Sequence, residues 1–431
     1  MHRWFAIVGV LAVAAGAAAA ASAQVSLPGV PLPQAPLPKL PSATEPVTGT
    51  LRTANSALTE ARKLRVRELL RAERETVEAD PAGQPILRGQ VGALSPTPAA
   101  LDAARDEGFT VLRTEELEAL GLTLVVLQAP EGLSTKRALQ RLREIDPAGE
   151  YDYNHLYVGS GFQPEESPPA SAPPPEAETP TLGAQRIGLI DSGLDSAHPV
   201  LSGAAIVRHG CDGALFPAPH GTAVASLLVG RGDHFESVLP AATLYAADIF
   251  CGHGGGSLSL LAVELDWMAR EKVAVINISL VGARSILLTG LVRAMTARGF
   301  LLVAAVGNDG PTAPPLYPAA YPDVIGVTGV DKEHKVLPEA CRGEQVDFAA
   351  AGADLEAAAI GGKFEEIRGT SFATPIVAGL LARTLQAPDP ARARAAVDAL
   401  AATAIDIGNN GTDPSYGKGL VGAELHPGHR E

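Results

Sequence analysis

The chain has 431 residues, a hydrophobic fraction of 46% and a formal net charge of -14. A single hydrophobic core rarely grows to that size, so we expect two or more folded units joined by linkers. The negative charge argues against nucleic acid as a partner, because phosphate binding needs clustered Lys and Arg side chains.

The first residues have the pattern of an export signal. A basic start, Met1-His2-Arg3, precedes an apolar run and a small-residue cleavage site, Ala21-Ser22-Ala23. We predict that 1–23 is a signal peptide and that the mature protein is secreted or periplasmic, without membrane contact after cleavage. The alternative is a retained membrane anchor, although the run is short and rich in Ala and Gly for a spanning helix.

Composition divides the chain into linkers and folded units. Residues 24–48 are rich in Pro, which lacks a backbone donor, and this predicts an extended spacer. Leu51 to Glu78 contain no Pro or Gly and are dense in Leu, Ala, Arg and Glu, which predicts a charged helix within 49–80. Residues 159–184 combine Pro with Glu and few apolar residues, so we expect a linker that contains a processing site.

Residues 84–158 have the pattern of a small α+β unit. Strand and helix patterns follow the order β-α-β-β-α-β, which is the ferredoxin-like split motif. Pro98 opens the first helix, and Ser134 is the expected N-cap of the second. The predicted elements are the strand Gly89 to Leu94, the helix Thr97 to Asp106, the strands Phe109 to Leu112 and Leu122 to Leu127, the helix Ser134 to Ile145 and the strand Tyr151 to Val158.

Residues 185–428 have the pattern of an α/β domain. Short runs that are apolar on both faces alternate with helical patterns, which favours a parallel sheet with helices on both faces. Ligands of such sheets bind beyond the carboxyl ends of the strands. The runs are Arg186 to Ile190, Gly221 to Val229, Ala242 to Ile249, Leu258 to Arg270, Val273 to Ile278, Ile286 to Arg298, Leu301 to Ala305, Val324 to Val330 and Ser371 to Leu385.

This domain carries the side chains that a serine nucleophile needs. Asp191 follows a strand, His220 begins a helical run and Ser371 begins an apolar helix. An acid and an imidazole matter because a free hydroxyl is a poor nucleophile at neutral pH. Asn308 ends a further strand, where its amide can donate to a developing oxyanion together with the Ser371 N–H. Taken singly, each of these residues is also typical of a turn or a helix N-cap.

The segments around these residues resemble those of the subtilisin-like serine proteases. Their order, Asp then His then Ser, differs from that of chymotrypsin-type proteases and α/β-hydrolases. The resemblance spans 185–425 and implies that Asp191 orients His220, the general base, and that Ser371 is the nucleophile. It also implies that Asn308 contributes to the oxyanion hole. The motifs are Ile-Asp-Ser-Gly-Leu-Asp, His-Gly-Thr-x-Val-Ala, Gly-Asn-Asp-Gly and Gly-Thr-Ser-Phe-Ala-Thr-Pro-x-Val-Ala-Gly.

The same resemblance implies how substrate binds. An extended peptide is expected to add as a strand between two edge segments, and a branched Val281 in place of a frequent Gly narrows one subsite. The edges are Gly254, Gly255 and Gly256 on one side and Ser279, Leu280 and Val281 on the other, and the pocket for the residue before the cut bond is lined by Ala305, Val306 and Gly307.

The resemblance finally implies a life cycle and a set of partners. We expect a secreted serine endopeptidase that cuts proteins or peptides through an acyl-enzyme and is made as a self-processing zymogen. Residues 84–158 are similar in element order to the pro-domains of this family, which assist folding and inhibit the enzyme. We expect no cofactor, no metal and a monomer, and no calcium site is evident in the sequence.

Three cysteines bear on the compartment and on the loops near the site. In an exported chain we expect Cys211 and Cys251 to pair, because both are expected to lie in loops that flank the active-site region. The mirrored patterns His209-Gly210-Cys211 and Cys251-Gly252-His253 leave a tetrahedral zinc site as an alternative, although their one-residue spacing is atypical. Cys341 is expected to be a small buried residue.

Two other functional classes compete with the protease hypothesis. One is a catalytically silent relative that serves as a scaffold, although such proteins usually lack a triad residue. The other is an esterase, because His253 and the three Gly after it resemble a lipase oxyanion loop. No Gly-x-Ser-x-Gly nucleophile elbow follows this loop in the sequence, so the esterase hypothesis lacks its expected nucleophile motif.

Overall fold

The computed structural model describes residues 62–160 and 185–429, referred to below as the N-terminal unit and the C-terminal unit. The predicted signal peptide, the Pro-rich spacer and most of the linker at 159–184 lie outside the described residues. No helix in the described ranges is long and apolar enough to cross a membrane.

The N-terminal unit is an antiparallel sheet with two helices, in the predicted ferredoxin-like order. The sheet order is β5-β2-β4-β3, with β1 added beside β2. An apolar core lies between the sheet and the helices α2 and α3. The elements are α1 at 62–72, β1 Val77–Ala79, β2 Pro85–Leu94, α2 Pro98–Asp106, β3 Thr110–Leu117, β4 Leu122–Gln128, α3 Thr135–Ile145 and β5 Glu150–Gly159.

Local chemistry explains where the two helices of this unit begin. Thr97 Oγ1 accepts the N–H of Ala100 and precedes Pro98 at the start of α2. Ser134 Oγ accepts the N–H of Arg137 and is the N-cap of α3, as predicted. In both helices the cap satisfies a donor that has no partner inside the helix.

The predicted charged helix is shorter than the sequence indicates. Its described part ends at residue 72, and Val77–Ala79 forms β1 instead of continuing the helix. β1 pairs antiparallel with Pro85–Leu87 of β2, so β2 also begins four residues before the predicted Gly89. Pairing with a neighbouring strand therefore overrides the helical propensity of the segment around Val77.

The C-terminal unit is built on a seven-stranded parallel sheet with helices on both faces, as predicted. Its strand order is β15-β14-β13-β11-β6-β9-β7. The elements are β6 Arg186–Asp191, β7 Ala205–His209, α4 Pro219–Val229, β8 Phe235–Glu236, β9 Thr243–Asp248, β10 Gly256–Ser257, α5 Leu258–Arg270, β11 Val275–Ile278, β12 Leu280–Val281, α6 Ile286–Ala297, β13 Leu301–Ala305, β14 Ile325–Val330, β15 Phe348–Ala351, β16 Leu355–Ala359, β17 Lys363–Ile367, α7 Thr370–Thr384, α8 Pro390–Thr403 and β18 Gly428–His429.

Alternating side chains of the central strands form two separate core layers. Ile187 and Leu189 of β6 belong to the layer that contains α4 and α7, and Ile190 belongs to the layer that contains α5 and α6. Successive residues of a strand point to opposite faces, so a sheet covered on both sides needs apolar residues at every position. This packing places the carboxyl ends of β6, β11 and β13 at one edge of the sheet.

Polar contacts join the two units outside the candidate active site. Asp266 Oδ1 of α5 accepts the N–H of Ala119 and of Leu120 at 2.9 and 3.2 Å. Asp152 Oδ2 accepts the N–H of Ile286 at 2.9 Å, at the N-terminus of α6. Helices α5 and α6 therefore both contact the N-terminal unit.

Cys211 and Cys251 form the predicted disulfide, with their Cα atoms 5.3 Å apart. It links the turn after β7 to the loop between β9 and β10. The alternative zinc site is wrong, because its two thiolate ligands are consumed in the disulfide. Cys341 is a free, buried thiol, as predicted.

We predict that the double variant Cys211→Ser, Cys251→Ser lowers the free energy of unfolding by about 3–4 kcal/mol. The bond closes a segment with a sequence separation of 40, and losing it frees the unfolded chain. Urea unfolding is measured in the Ser371→Ala background to prevent self-digestion. As a control, the Ser371→Ala chain with both cysteines should unfold at the same urea concentration as the variant once reductant has broken its disulfide. A variant that unfolds at the same urea concentration as its parent would contradict this prediction.

Candidate active site

Asp191 is the last residue of β6, at the carboxyl edge of the sheet. Its Oδ1 lies 2.7 Å from Nδ1 of His220, and both side chains are 2% exposed. The same oxygen accepts the N–H and the hydroxyl of Ser192 at 2.7 and 3.1 Å. These donors hold the carboxylate in one orientation, which in turn sets the orientation of the imidazole.

His220 lies in the first turn of α4, immediately after Pro219. Its ring packs against the ring of Phe372 from α7, with 5.6 Å between the centroids. Gly221 allows close packing, because a Cβ there would lie 2.2 Å from the carbonyl oxygen of Ser192. A larger residue at this position would push the imidazole away from Asp191.

Ser371 is the second residue of α7, which follows Gly369 with φ of 145°. Its N–H belongs to the first turn, where backbone donors have no partner inside the helix. Its hydroxyl contacts the hydroxyl of Ser160 and lies 3.4 Å from the carbonyl oxygen of Ser279. Among the described residues it makes no hydrogen bond to His220 in this state.

Asn308 follows β13 and faces the start of α7. Its Oδ1 accepts the N–H of Thr370 at 3.1 Å, which fixes the direction of the amide group. Its Nδ2 donates to the carbonyl oxygen of Ser160. Gly307 has φ of 100°, a conformation that favours glycine, and its N–H is bound by Thr370 Oγ1 at 3.2 Å. Gly307 therefore helps to place Asn308, and the lining of a substrate pocket by Ala305, Val306 and Gly307 stays a prediction.

The two predicted substrate edges flank the end of β5. On one side Gly256 and Ser257 pair antiparallel with Tyr157 and Leu156. On the other side β12 pairs antiparallel with residues 158 and 159 of β5. Of the predicted glycines, Gly256 belongs to the paired strand, whereas Gly254 and Gly255 lie in the bend before it.

The sequence did not single out Ser160 and Tyr157, which lie in the centre of this arrangement. Ser160 N–H donates to the carbonyl of Ser279 at 3.2 Å, and its carbonyl is held by Asn308. The Tyr157 ring is fully buried beside Gly282, and its hydroxyl donates to the carbonyl of Ala283 at 3.1 Å. The available signal was the position of Ser160 at the boundary between the compact unit and the linker.

Ser279 connects the substrate edge to the nucleophile. Its hydroxyl donates to the Ser371 carbonyl at 3.1 Å and accepts from Asn277 Nδ2 at 2.9 Å. All three residues are buried. The edge segment β12 is thereby held at a set distance from the start of α7.

A second carboxylate lies next to Asp191, on the neighbouring strand. Asp248 ends β9 and is in register with Asp191 across the parallel pair. Burial is the main cause that raises the pKa of Asp248 to about 6. The negative charge of Asp191 adds to this increase. The N–H groups of Phe250 and Cys251 donate to Asp248 Oδ1 and partly offset this effect. The disulfide loop is thus tied to the strand beside Asp191.

The comparisons with known proteins agree with this geometry. The family model described as the subtilase family, Peptidase_S8, matches residues 184–419. Subtilisin E of Bacillus subtilis (strain 168) is 33% identical over 249 residues, which are 56% of this chain and 64% of that protein. The alkaline protease of Shouchella clausii is 31% identical over 289 residues, 65% of this chain and 74% of that protein. The first of these alignments spans less than two thirds of the relative.

A solved structure extends the likeness of fold to both units. Fervidolysin from Fervidobacterium pennivorans, described as a keratinolytic enzyme related to subtilisin, has a TM-score of 0.63 at 19% sequence identity. The superposition covers 81% of this chain and 62% of that chain. Together with the family model, which matches more than half of the sequence, these comparisons show that the chain belongs to the subtilase family.

Proposed function

We propose that this protein is the zymogen of a secreted serine endopeptidase that cuts its own chain between Ser160 and Gly161. Asp191, His220 and Ser371 act as the catalytic triad, and Asn308 with the Ser371 N–H forms the oxyanion hole. The N-terminal unit acts as a pro-domain that inhibits the C-terminal unit.

The occupation of the site by the chain's own backbone carries this proposal. β5 enters between β10 and β12, and the carbonyl of its following residue, Ser160, is held by Asn308 Nδ2. The Ser371 hydroxyl lies against the same residue. The candidate nucleophile thus lies beside the residue whose carbonyl is held by an amide donor, and this placement supports acyl transfer at that carbonyl.

The first step is activation of the nucleophile. The Ser371 hydroxyl turns from Ser160 and Ser279 toward Nε2 of His220, which accepts its proton as Oγ attacks the carbonyl carbon. Asp191 keeps the proton of the imidazole on Nδ1, so that Nε2 is the basic atom. The positive charge that forms on the imidazolium is then stabilised by the buried carboxylate 2.7 Å away.

The second step is stabilisation of the tetrahedral intermediate. Negative charge develops on the former carbonyl oxygen, to which Asn308 Nδ2 already donates. The N–H at the start of α7 adds a donor and the positive end of a helix dipole. Because Thr370 holds Oδ1 of Asn308, the amide does not need to reorient during the reaction.

The last steps release both products. The imidazolium gives its proton to the leaving amine, the C–N bond breaks and an acyl-enzyme remains on Ser371. Water then attacks this ester while His220 accepts its proton, and the collapse of the second intermediate returns the proton to Ser371 Oγ. The atoms balance as hydrolysis of one peptide bond.

The arrangement also supports inhibition by the N-terminal unit after the cut. β5 remains paired with β10 and β12 through main-chain hydrogen bonds that do not depend on the bond after Ser160. Tyr157 stays buried between the units. The cleaved segment therefore blocks the strand-binding groove that an outside peptide would need.

Export is supported by the basic and apolar start of the chain and by the disulfide. Disulfides persist in oxidising compartments and are rare in the cytosol of mesophiles. The Cys211–Cys251 bond near the substrate edge is consistent with such a compartment.

The esterase alternative receives no support from the geometry. Gly256, from the segment after His253, pairs with Tyr157 as a peptide-binding strand. The carbonyl of Ser160 is bound by Asn308 instead. Gly256 therefore serves backbone pairing, for which the lack of a side chain is an advantage.

We predict that the signal-free wild-type chain cuts itself after Ser160, and that the Ser371→Ala chain stays intact. Intact mass and N-terminal sequencing should give a fragment that begins at Gly161, and a fluorophosphonate probe should label Ser371 in the wild type alone. A folded wild type that is neither cut nor labelled would contradict the proposal. A new N-terminus elsewhere would contradict the assigned bond.

We predict that Asn308→Ala lowers kcat by about 10²–10³-fold with little change in KM, because one oxyanion donor is lost while the strand-binding edges remain. Asp191→Asn should lower kcat by about 10⁴-fold, because the amide favours the wrong imidazole tautomer. Both are measured on the processed enzyme with a peptide substrate. A decrease below about fivefold in either variant would argue against the assigned role.

A further inference from the structure

Helix α1 is an additional element of the N-terminal unit, outside its ferredoxin-like order. Its residue Leu69 is buried with Val77 of β1 and Leu156 of β5. α1 is therefore anchored to the strand that enters the candidate active site. Displacement of α1 would expose this small apolar cluster.

The opposite end of the same helix reaches the C-terminal unit. Arg62 Nη1 lies 3.2 Å from Asp309 Oδ2, and these side chains are 12% and 10% exposed. Arg62 Nη2 also donates to Gln84 Oε1 at 3.3 Å, which orients the guanidinium. Asp309 directly follows Asn308, the residue that holds the Ser160 carbonyl.

The burial of this pair distinguishes it from an ordinary surface ion pair. Exposed ion pairs contribute little to stability, whereas loss of one partner from a buried pair leaves the other charge less compensated. Burial raises the pKa of Asp309, and the charges of Arg62 and Arg65 oppose this rise. The carboxylate thus depends on the cations of α1 while the N-terminal unit is in place.

We propose that α1 is a second inhibitory contact, in which Arg62 binds Asp309 beside the oxyanion residue and keeps the cut N-terminal unit on the enzyme. This inference rests on the proposed self-cleavage. Cutting after Ser160 does not by itself break the Arg62–Asp309 pair, because neither residue belongs to the bond that is cut. Release of activity then requires this ion pair to break in addition to the strand pairing of β5 and the contacts of α5 and α6 with the N-terminal unit.

The test compares Arg62→Ala with Arg71→Ala in the signal-free full chain. Arg71 is an exposed residue of the same helix, so its variant has the same change in charge. Each chain is allowed to cut itself, and the N-terminal fragment that co-elutes in gel filtration is measured together with the appearance of peptidase activity. We expect Arg62→Ala to release the fragment about tenfold faster at an unchanged rate of cleavage, and Arg71→Ala to match the wild type.

Additional variants test whether faster release comes from loss of the Arg62–Asp309 pair. Asp309→Asn should accelerate release as Arg62→Ala does, and the double variant should add little to either, because both remove the same interaction. Arg62→Gln removes the charge but retains most of the side-chain stem. If Arg62→Ala folds poorly, the release rate of Arg62→Gln is compared with that of Arg71→Ala instead. Release of the Arg62 variants at the wild-type rate would overturn the inference.

A readout without catalysis separates this inference from the proposed function. A wild type that never cuts itself would refute the proposed function and leave the contact to be measured in the uncut Ser371→Ala chain. There Arg62→Ala should increase hydrogen exchange at the amides of 308–310, and Arg71→Ala should not. Equal exchange in both variants would overturn the inference independently of activity.

Discussion

Main-chain pairing of β5 is the interaction on which the arrangement of both units depends. Its first residues pair with β2 inside the N-terminal unit, and its last four pair with β10 and β12 of the C-terminal unit. Each of the two partner segments is only two residues long. Buried backbone groups need hydrogen-bond partners, and a strand inserted between two edges satisfies donors and acceptors on both sides at once. This register places the carbonyl of Ser160 within hydrogen-bonding distance of Asn308 Nδ2.

The two carboxylates at the carboxyl edge of the sheet, Asp191 and Asp248, are held in fixed orientations by hydrogen bonds. Asp191 accepts three hydrogen bonds on one oxygen, from Ser192 twice and from His220. The parallel neighbour Asp248 is held by the N–H groups of Phe250 and Cys251, and burial raises its pKa to about 6. Asp191 contacts the imidazole, and in the proposed mechanism it is the carboxylate that stabilises positive charge on His220.

Much of the fold followed from local patterns in the sequence. Capping by Thr97 and Ser134, and runs that are apolar on both faces, are short-range signals, and the corresponding elements begin within a few residues of their predicted positions. Strand β1 was missed because its pairing with β2 is a tertiary contact. The edge strand β7 and helix α8 were also missed, since the first is short and the second is rich in Ala without a strong apolar stripe.

The sequence by itself determined which chemical groups are present and in which order, because the segments around Asp191, His220 and Ser371 carry specific motifs. It also determined that strands and helices alternate, because hydrophobic periodicity reports on burial. Tertiary structure alone decided that Ser160 occupies the site and that Arg62 reaches Asp309. Those contacts join residues more than 140 positions apart. Their partners are selected by packing and strand register across the two units, and no local pattern contains that information.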